Sequence, residues 1–373
     1  MGKDMKVLAI GSYPAPYRVA VFQTLAMQYD MEVYFDTERD EDRNAEWFCK
    51  SGELAFYVLN NERAKKKFRD ALKRIRDYDF VLAYDPTRWP SIAAITCCRL
   101  CGVPYFINND GAFLKQGNPL KASLKRFLYG GAELCFGSGD SSTAYFLANG
   151  VHKDRIRRHD FTSLTEVDIC KSPASKAEQA ALREKLGMKA DKVYAITVGQ
   201  FIERKGFDLL LKAWKDLRCP DAELMLIGGG GERMAYERYI EEHSIHNVTI
   251  CDFLSKKDLF EYYRASDIFV LPTREDIWGL VINEAMACGL PVISSDMCIA
   301  ARELMVSGEN GYIYPVEDTA QLLHALERLI TDADLRKRFA ENNITRIQGN
   351  TMENVGKKHI HDIEEWKKTR IKG

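Results

Sequence analysis

The chain has 373 residues, of which 46% are hydrophobic and 29% are charged, with a formal net charge of −1 at pH 7. This composition excludes a long disordered region, and the length exceeds that of one typical α/β core, so we expect two domains. The near-neutral charge and the lack of a recognised binding motif argue against a nucleic-acid partner.

The first apolar run and the overall hydropathy indicate where in the cell the protein is expected. The run from Val7 to Ile10 is shorter than the core of a signal peptide and has the length of a buried strand. No stretch approaches the roughly 20 apolar residues of a membrane-spanning helix. We therefore expect a cytoplasmic protein, with any membrane contact peripheral and at the inner face.

The ten cysteines lie between Cys49 and Cys298, mostly in apolar runs. This usage is typical of small buried side chains in a reducing compartment. Cys97, Cys98 and Cys101 form a cluster, but a Cys-x-x-Cys in a helix without a second ligand pair favours packing over zinc binding or redox chemistry. We predict no metal site and no cofactor.

Short apolar runs rich in β-branched and aromatic residues alternate with helical patterns, which indicates βαβ units and parallel sheets. The strands predicted in the first half are residues 6–10, 32–35, 56–59, 80–84, 104–107 and 133–136. Those predicted in the second half are residues 192–198, 223–227, 248–251, 268–271, 291–294 and 311–314. The pattern predicts an α/β fold with two Rossmann-like, doubly wound parallel sheets in tandem.

A polar, helical stretch with Pro173 as a breaker separates the two halves. We place the boundary near Leu164, with an N-terminal domain of residues 1–163 and a C-terminal domain of residues 164–350. The helix predicted at 351–370 is expected to cross back onto the N-terminal domain. The carboxyl-edge loops of two facing parallel sheets would share a cleft, where ligands bind in such folds.

The loop after the first strand and a basic segment are the features to note in the N-terminal half. In GSYPAPYRVAVF, Pro14 and Pro16 stiffen a loop that ends at a helix start and should face the cleft. Residues 62–77 carry eight basic and three acidic side chains in a helical pattern. The simplest interpretation is a solvated helix face, and the alternative is a patch that attracts anionic lipid or a phosphate-bearing acceptor.

The stretch GQFIERKG lies between a predicted strand and an amphipathic helix. Gly199 and Gly206 allow the backbone to turn tightly there. Arg204 and Lys205 place two cations where the helix N-terminus also favours an anion, an arrangement that suits a diphosphate. The alternative is that both are solvent-exposed loop charges.

The stretch TREDIWGLVINEAMACGLPVISSD begins a helix at Gly279. The N–H groups of Gly279, Leu280 and Val281 would be unpaired at that start, which makes them natural phosphate donors. Glu284 follows on the same helix, and its carboxylate, an acceptor only, suits two adjacent ribose hydroxyls. Asp276 precedes the helix and could reach sugar hydroxyls. The alternative for Glu284 is a structural salt bridge.

The run LMLIGGGGER must be compared with a dehydrogenase fingerprint, because it follows a strand and begins a helix. Counting from Gly228 and Gly230, the third glycine of GxGxxG would fall at Arg233. The spacing therefore excludes that fingerprint.

Together these stretches resemble the retaining nucleotide-sugar glycosyltransferases of family 4, which have the GT-B fold, and the resemblance extends along the whole chain. It implies that Arg204 and Lys205 match the family's diphosphate-binding pair. Asp276 and Glu284 match its paired acids separated by seven residues. The first acid is normally Glu, and Glu275 precedes Asp276 here, so either carboxylate could contact the donor sugar.

The resemblance also implies contacts with the donor nucleotide. Gly229 and Gly230 would border the nucleotide, and Phe253 or Leu254 would line the pocket of its base.

On the N-terminal side, the resemblance implies that Gly11, Tyr17 and Arg18 approach the donor phosphate or the acceptor, although Tyr17 could equally be a packing residue. Many relatives have a His-Asp pair in the loop after the fifth predicted strand, where this chain has Asn109 and Asp110. An acceptor-side catalytic role for Asp110 is therefore a hypothesis.

These features predict a retaining glycosyltransferase that moves a sugar from a UDP- or GDP-sugar to a glycan or lipid-linked acceptor, in surface polysaccharide or glycoconjugate biosynthesis. Because Arg204, Lys205 and the helix start can stabilise the departing diphosphate, no divalent metal is required. An epimerase on the same fold is one alternative, and it would need an acid and a base around the sugar. A noncatalytic nucleotide-sugar-binding protein is the other.

Overall fold

The computed structural model describes residues 5–38, 54–114 and 118–371. They divide into two compact units, the first running to Thr162 and resuming at Asn350, and the second comprising Ser163–Gly349. Cys49 and the end of the stretch at 107–115 lie outside the described residues.

The described part of unit 1 contains a seven-stranded, wholly parallel sheet. Its strands are β1 (Lys6–Gly11), β2 (Asp30–Phe35), β3 (Phe56–Val58), β4 (Phe80–Tyr84), β5 (Tyr105–Asn109), β6 (Leu134–Gly137) and β7 (Ile156–Arg158). They lie in the order β3-β2-β1-β4-β5-β6-β7, so the order reverses between β1 and β4.

Helices connect these strands. They are α1 (Pro16–Gln28), α2 (Glu62–Lys73), α3 (Trp89–Cys101), α4 (Pro119–Gly130) and α5 (Asp140–Ala148). Pro16 occupies the first turn of α1, where its missing N–H costs nothing. The side chain of Asn61 accepts from Ala64 N at 2.9 Å and caps α2.

Apolar side chains cover both faces of this sheet. One cluster includes Phe22, Phe35 and Phe106, and the other includes Phe68 and Phe146, all of them fully buried. A parallel sheet needs this cover on both faces, which is why its strands read as continuous apolar runs.

Two local features of unit 1 differ from the sequence pattern. Strand β7 was not predicted, because a three-residue edge strand containing Arg157 and Arg158 has no apolar run to reveal it. The basic helix is shorter than the 62–77 pattern, since α2 ends at Lys73 and a separate 3₁₀ turn covers Ile75–Asp77.

The described part of unit 2 contains a six-stranded, wholly parallel sheet. Its strands are β8 (Val193–Gln200), β9 (Ala222–Gly229), β10 (Val248–Cys251), β11 (Ile268–Leu271), β12 (Val292–Ser295) and β13 (Gly311–Tyr314). The order β10-β9-β8-β11-β12-β13 reverses between β8 and β11.

The helices of unit 2 follow the same alternation. They are α6 (Lys176–Leu186), α7 (Phe207–Asp216), α8 (Arg233–Glu242), α9 (Lys256–Ala265), α10 (Leu280–Ala287), α11 (Ile299–Leu304), α12 (Thr319–Thr331) and α13 (Ala333–Ile347). Trp214, Leu224 and Phe339 belong to the buried cluster on one side of the sheet. The predicted class, two Rossmann-like parallel-sheet domains, is confirmed.

The last helix, α14 (Met352–Ile371), belongs to unit 1 and packs against α1. A Cβ placed on Gly356 would lie 2.6 Å from the Cβ of Thr24, so glycine permits the close approach of the two helices. The ring of Trp366 contacts Phe106 with centroids 4.9 Å apart. Helix α14 thus covers one face of the unit 1 sheet. Within the described ranges, no helix has both the length and the hydrophobicity needed to cross a bilayer.

Candidate functional site

Each sheet reverses its strand order once, and ligands of parallel α/β sheets bind outside the carboxyl ends of the strands at that point. In unit 1 the reversal lies between β1 and β4, and in unit 2 between β8 and β11. Most of the predicted site residues belong to loops that leave these four strands. The two reversal points are described separately below.

In unit 2, the loop after β8 packs directly against the loop after β11. Gly206 has φ 68°, and a Cβ there would lie 2.1 Å from the carbonyl oxygen of Pro272. A side chain at position 206 would therefore push the two loops apart, which explains the glycine.

Arg204 stabilises the contact between the two loops through hydrogen bonds of both its backbone and its side chain. Its Nη1 donates to the carbonyl oxygen of Glu275 at 2.8 Å. Its own carbonyl oxygen accepts from Thr273 Oγ1 at 2.9 Å and from Arg274 N at 2.8 Å. Arg204 is exposed, and the hydrogen bond from its Nη1 connects its guanidinium to the loop after β11.

Lys205 forms an ion pair with Asp276, with 2.5 Å between Nζ and Oδ2 and only 13% of each side chain exposed. Asp276 is itself held, because its backbone N–H donates to Met297 O at 2.9 Å and Trp278 N donates to its Oδ1 at 3.4 Å. Of the two candidate acids, Asp276 contacts Lys205 through its carboxylate, whereas Glu275 contacts Arg204 through its backbone. An ammonium has three N–H donors, so Lys205 can bind a further oxygen beside Asp276.

The N-terminus of α10 follows on the same loop. Gly279 caps the helix with φ 96°, and a Cβ there would lie 2.6 Å from Sγ of Cys298. The N–H groups of Gly279, Leu280 and Val281 precede the first intrahelical i→i−4 bond and carry the positive end of the helix dipole. This end of α10 suits an anion.

Glu284 lies one turn further along α10 and is 8% exposed. Its Oε1 accepts from Ser163 Oγ at 2.9 Å and its Oε2 from Tyr263 Oη at 3.4 Å. Burial raises the pKa of its carboxyl, and the Ser163 hydroxyl and the charge of Lys256 act against that rise. In the described part of the chain its hydrogen-bond partners are hydroxyl groups, and each carboxylate oxygen has a second lone pair for another hydroxyl.

The glycine-rich turn after β9 contacts the loop after β10. A Cβ on Gly229 would lie 3.2 Å from the ring of Phe253, and one on Gly230 would lie 2.6 Å from the carbonyl oxygen of Phe201. Phe253 is 41% exposed and Leu254 is half-buried. The structure therefore brings Gly229 and Phe253 together, and they stay predictions as nucleotide contacts.

In unit 1, the structure brings Arg18 and Asp110 into an ion pair. Arg18 is 6% exposed, and its guanidinium carbon lies 3.9 Å from the ring centroid of Tyr84, the last residue of β4. Burial alone would lower the pKa of Arg18, but the charge of Asp110, together with smaller contributions from Tyr17, Asp85 and Tyr84, outweighs it and the pKa is raised. Arg18 is therefore a fixed buried cation.

Asp110 is also connected to the C-terminal helix. Asn108 Nδ2 donates to its Oδ1 at 2.8 Å. The other side of the Asn108 amide faces His359 Nε2 at 3.1 Å, and His359 Nδ1 lies 2.8 Å from Val355 O. Burial raises the pKa of Asp110 and lowers that of His359 to about 4. A residue of α14 thus helps to orient the group at the end of β5.

A cavity of about 20 Å³, lined in part by Arg18, Asp110, His159 and His359, lies beside this pair. Burial lowers the pKa of His159 well below its usual value, and the neighbouring His359 lowers it further. Tyr17 also lines the cavity and packs edge-on against Phe161, with centroids 5.0 Å apart. The space is that of about one water molecule.

Gly11, the last residue of β1, packs against a ring from β2. A Cβ on it would lie 2.8 Å from the Phe35 ring, so the glycine is explained by packing, and its contact with a donor stays a prediction. The next residue, Ser12, hydrogen-bonds Asp85, which follows β4.

Sequence reasoning missed three residues of this region, namely Asp85, His159 and His359. Asp85 had a usable signal, because it directly follows a strand at the reversal point and has φ 54°. Nothing local marks His359, which is 249 residues from Asp110 by subtraction of their numbers and reaches it only through α14. Among the described residues, no three His, Cys, Asp or Glu side chains are grouped so as to hold a metal ion.

Comparison with protein families finds a match over residues 178–346 to the model described as "Glycosyl transferases group 1". This range contains both loops of the unit 2 site and all of α10.

Curated relatives match less than half of the chain. An alpha-D-kanosaminyltransferase of Streptomyces kanamyceticus is 30% identical over 178 residues, which is 47% of this chain and 46% of that protein. The lipopolysaccharide core biosynthesis glycosyltransferase LpsE of Rhizobium meliloti is 31% identical over 168 residues, covering 45% and 48%. The aligned region thus spans less than half the length of these relatives.

Solved structures match nearly the whole chain in fold. Sucrose-phosphate synthase from Thermosynechococcus elongatus has a TM-score of 0.72 at 18% identity, covering 97% of this chain and 98% of that one. HepE of Anabaena, in complex with UDP and glucose, has a TM-score of 0.76 at 16% identity, covering 97% and 100%. The chain therefore has the GT-B fold, and residues 178–346 of its second unit match the glycosyl transferases group 1 model.

Proposed function

We propose that the protein is a retaining glycosyltransferase that moves a sugar from a UDP- or GDP-sugar to a glycan or lipid-linked acceptor. The observation that carries this proposal is the grouping of Arg204, Lys205 and the N-terminus of α10 where the unit 2 sheet reverses its strand order. Two fixed cations and a helix dipole at one sheet edge suit a nucleotide diphosphate.

The chemistry follows from the charge that develops. Cleavage of a glycosyl–phosphate bond leaves negative charge on the diphosphate and positive charge on the anomeric carbon. Donors fixed before the reaction stabilise the departing group without reorganisation, and each is worth several kcal/mol in a water-poor site. Arg204 and Lys205 are fixed in this way by Glu275 and Asp276.

Asp276 has two roles in this proposal. Its carboxylate holds the Lys205 ammonium in place, and it is the acid that precedes α10, where the donor sugar would follow the diphosphate. Glu284 accepts the ribose hydroxyls through the lone pairs that Ser163 and Tyr263 leave open. Phe253 packs against the base beside Gly229.

In this proposal, Asp110 and Arg18 of unit 1 lie on the side where the acceptor binds. The carboxylate of Asp110 is engaged by Arg18 and Asn108, so it serves better to orient an acceptor hydroxyl than to remove its proton freely. Retention then proceeds by front-face attack, in which the departing phosphate takes the acceptor's proton. The proposed reaction uses no divalent metal, because the cations of the site neutralise the diphosphate.

The names of two similar proteins support the proposed donor class and the proposed biosynthetic role. HepE was solved with UDP and with UDP-glucose, and LpsE is named for lipopolysaccharide core biosynthesis. By extension we propose a role in surface polysaccharide or glycoconjugate biosynthesis at the cytoplasmic side of a membrane.

The test begins with a thermal-shift screen of UDP- and GDP-sugars, followed by acceptor-dependent release of the nucleotide. Lys205→Ala should lower kcat about 100-fold and weaken binding of the free nucleoside diphosphate. Lys212→Ala is the matched control, because Lys212 makes an exposed pair with Asp208 on α7. Unchanged diphosphate binding and turnover in Lys205→Ala would reject the proposed site.

A further inference from the structure

Two cysteines of unit 2 lie side by side. Cys170 lies between a 3₁₀ turn, Glu166–Asp168, and α6, whereas Cys288 caps the C-terminus of α10. The backbone N–H of Cys170 donates to the carbonyl oxygen of Ala287 at 2.9 Å. The two side chains are near enough for each to influence the pKa of the other through a hydrogen bond.

Charged groups around this pair favour a thiolate at Cys170. Arg264 Nη1 donates to Cys170 Sγ at 2.6 Å, and Arg264 Nε donates to Glu178 at 2.9 Å. The hydrogen bond from Cys288 and the charge of Arg264 lower the pKa of Cys170 to about 6, against burial and the charge of Glu178. Burial, the hydrogen bond to Cys170 and the charges of Cys170 and Glu284 raise the pKa of Cys288, so its thiol stays protonated and donates.

The two cysteines also differ in access. Cys170 is half-buried and can meet small solutes, whereas Cys288 is 2% exposed. Cys97 is half-buried like Cys170, but burial raises its pKa. Reactive cysteines are ionised and accessible, and redox-sensing ones lie next to a second thiol.

We propose that Cys170 and Cys288 form a peroxide-reactive pair, in which Cys170 is the attacking thiolate and Cys288 the resolving thiol. The Cys170 thiolate attacks one oxygen of a hydroperoxide, and the O–O bond breaks. Cys170 becomes a sulfenic acid, and the other oxygen of hydrogen peroxide leaves as hydroxide, which takes up one proton to form water. The Cys288 sulfur then displaces the hydroxyl group, which leaves as water with the Cys288 proton. The two-electron oxidation of the pair balances the reduction of one peroxide.

A disulfide requires Cα atoms roughly 4.4–6.8 Å apart, so the two chain segments must already lie side by side. The 2.9 Å hydrogen bond from Cys170 N to the carbonyl oxygen of Ala287, the residue before Cys288, holds the two segments next to each other. The bond would covalently join the segment after Ser163 to the helix that carries Glu284.

The first experiment measures how fast iodoacetamide alkylates each cysteine of the folded protein between pH 5 and 9, by peptide mass spectrometry. Cys170 should reach half of its maximal rate near pH 6, well below Cys97. Arg264→Gln should move the Cys170 midpoint to higher pH. Arg238→Gln, which changes an exposed arginine of α8, should leave the midpoint unchanged.

The second experiment treats the folded protein with hydrogen peroxide and analyses it without reduction. Wild type should yield a peptide that joins Cys170 to Cys288 and that dithiothreitol cleaves. Cys288→Ala should instead give a dimedone adduct at Cys170, and Cys170→Ser should give neither product. Thermal unfolding verifies that each variant is folded. The proposal is overturned if Cys170 alkylates with the pH profile of Cys97, or if peroxide produces no link between Cys170 and Cys288.

Discussion

The two strand-order reversals each hold a cation paired with an aspartate, but the pairs differ in what surrounds them. Lys205 and Asp276 lie in two facing loops. The Lys205 ammonium is at the end of a long aliphatic chain and has N–H donors beyond the one that Asp276 accepts. The guanidinium of Arg18 lies against the ring of Tyr84, and its partner Asp110 is linked through Asn108 to His359 on the last helix. In our proposal the first pair binds a ligand, whereas the second holds a fixed geometry.

The largest expected effect tests this difference through stability. Asp110→Asn leaves the buried guanidinium of Arg18 without its counter-charge, so the free energy of unfolding should fall by about 3 kcal/mol. Asp276→Asn should cost only about 1 kcal/mol, because the long stem of Lys205 lets the ammonium reach water. Urea denaturation of both variants measures the two losses. Equal losses would contradict the distinction between the pairs.

The next effect concerns donor binding by Glu284 in unit 2. Glu284→Gln should keep the fold and weaken donor binding by about tenfold, because the amide replaces one acceptor oxygen with a donor that opposes the ribose hydroxyls. Calorimetry with the donor found in the thermal-shift screen measures this change. If the variant instead unfolds at a markedly lower temperature and still binds the donor, Glu284 serves only Ser163 and Tyr263.

A pH effect should be specific to unit 1. Burial, together with the smaller effect of the positive charges of Arg18 and Lys358, lowers the pKa of His359 in the folded state to about 4. The unfolded chain, with its imidazole near pKa 6.5, therefore binds more protons below that pH. The free energy of unfolding should fall as the pH decreases from about 6.5 to 4, by up to about 1.4 kcal/mol for each pH unit.

Denaturation of the His359→Gln variant between pH 7 and 5 checks this contribution. The variant should lose less stability over that range than wild type does. His246→Gln, which changes an exposed imidazole of unit 2, is the matched control and should keep the wild-type slope. A wild-type slope in His359→Gln would show that His359 is not the group responsible.

The smallest expected effect concerns α2, whose exposed face carries Lys66 and Lys67. If the helix attracts anionic lipid, each basic residue contributes about 1 kcal/mol near the surface, and the attraction weakens with added salt. Changing Lys65, Lys66 and Lys67 to Glu should reduce co-sedimentation with anionic vesicles but not with neutral ones. Equal sedimentation of this variant and wild type would leave α2 as a solvated face.

Much of the local structure followed from the sequence, because buried parallel strands read as apolar runs. The twelve strand positions predicted from such runs all correspond to strands, with ends that differ by at most two residues. The exception, β7, is short, polar and at an edge. It is a strand because it pairs with β6, and a local sequence pattern does not show such pairing.

The unit 2 loops could be predicted because glycines and charged residues occur there between a strand and a helix. Glycine in that position indicates a tight turn, and a cation beside a helix N-terminus indicates an anion site. Arg204, Lys205 and Gly279 were therefore found as candidates before any geometry was known. Which of the two acids Lys205 contacts depends on how the loop after β8 packs against the loop after β11, and no local pattern encodes that packing.

The sequence by itself thus determined the alternation of strands and helices, the parallel-sheet class and the candidate anion-binding loops, because these depend on periodicity and on residues near one another in the chain. Only the tertiary structure brought Arg18 to Asp110, His359 to Asn108, and Cys170 to Cys288. The residues of these three pairs are between 92 and 251 positions apart, by subtraction of their numbers. No local pattern encodes such contacts, which form only when the sheets order their strands and α14 packs against α1.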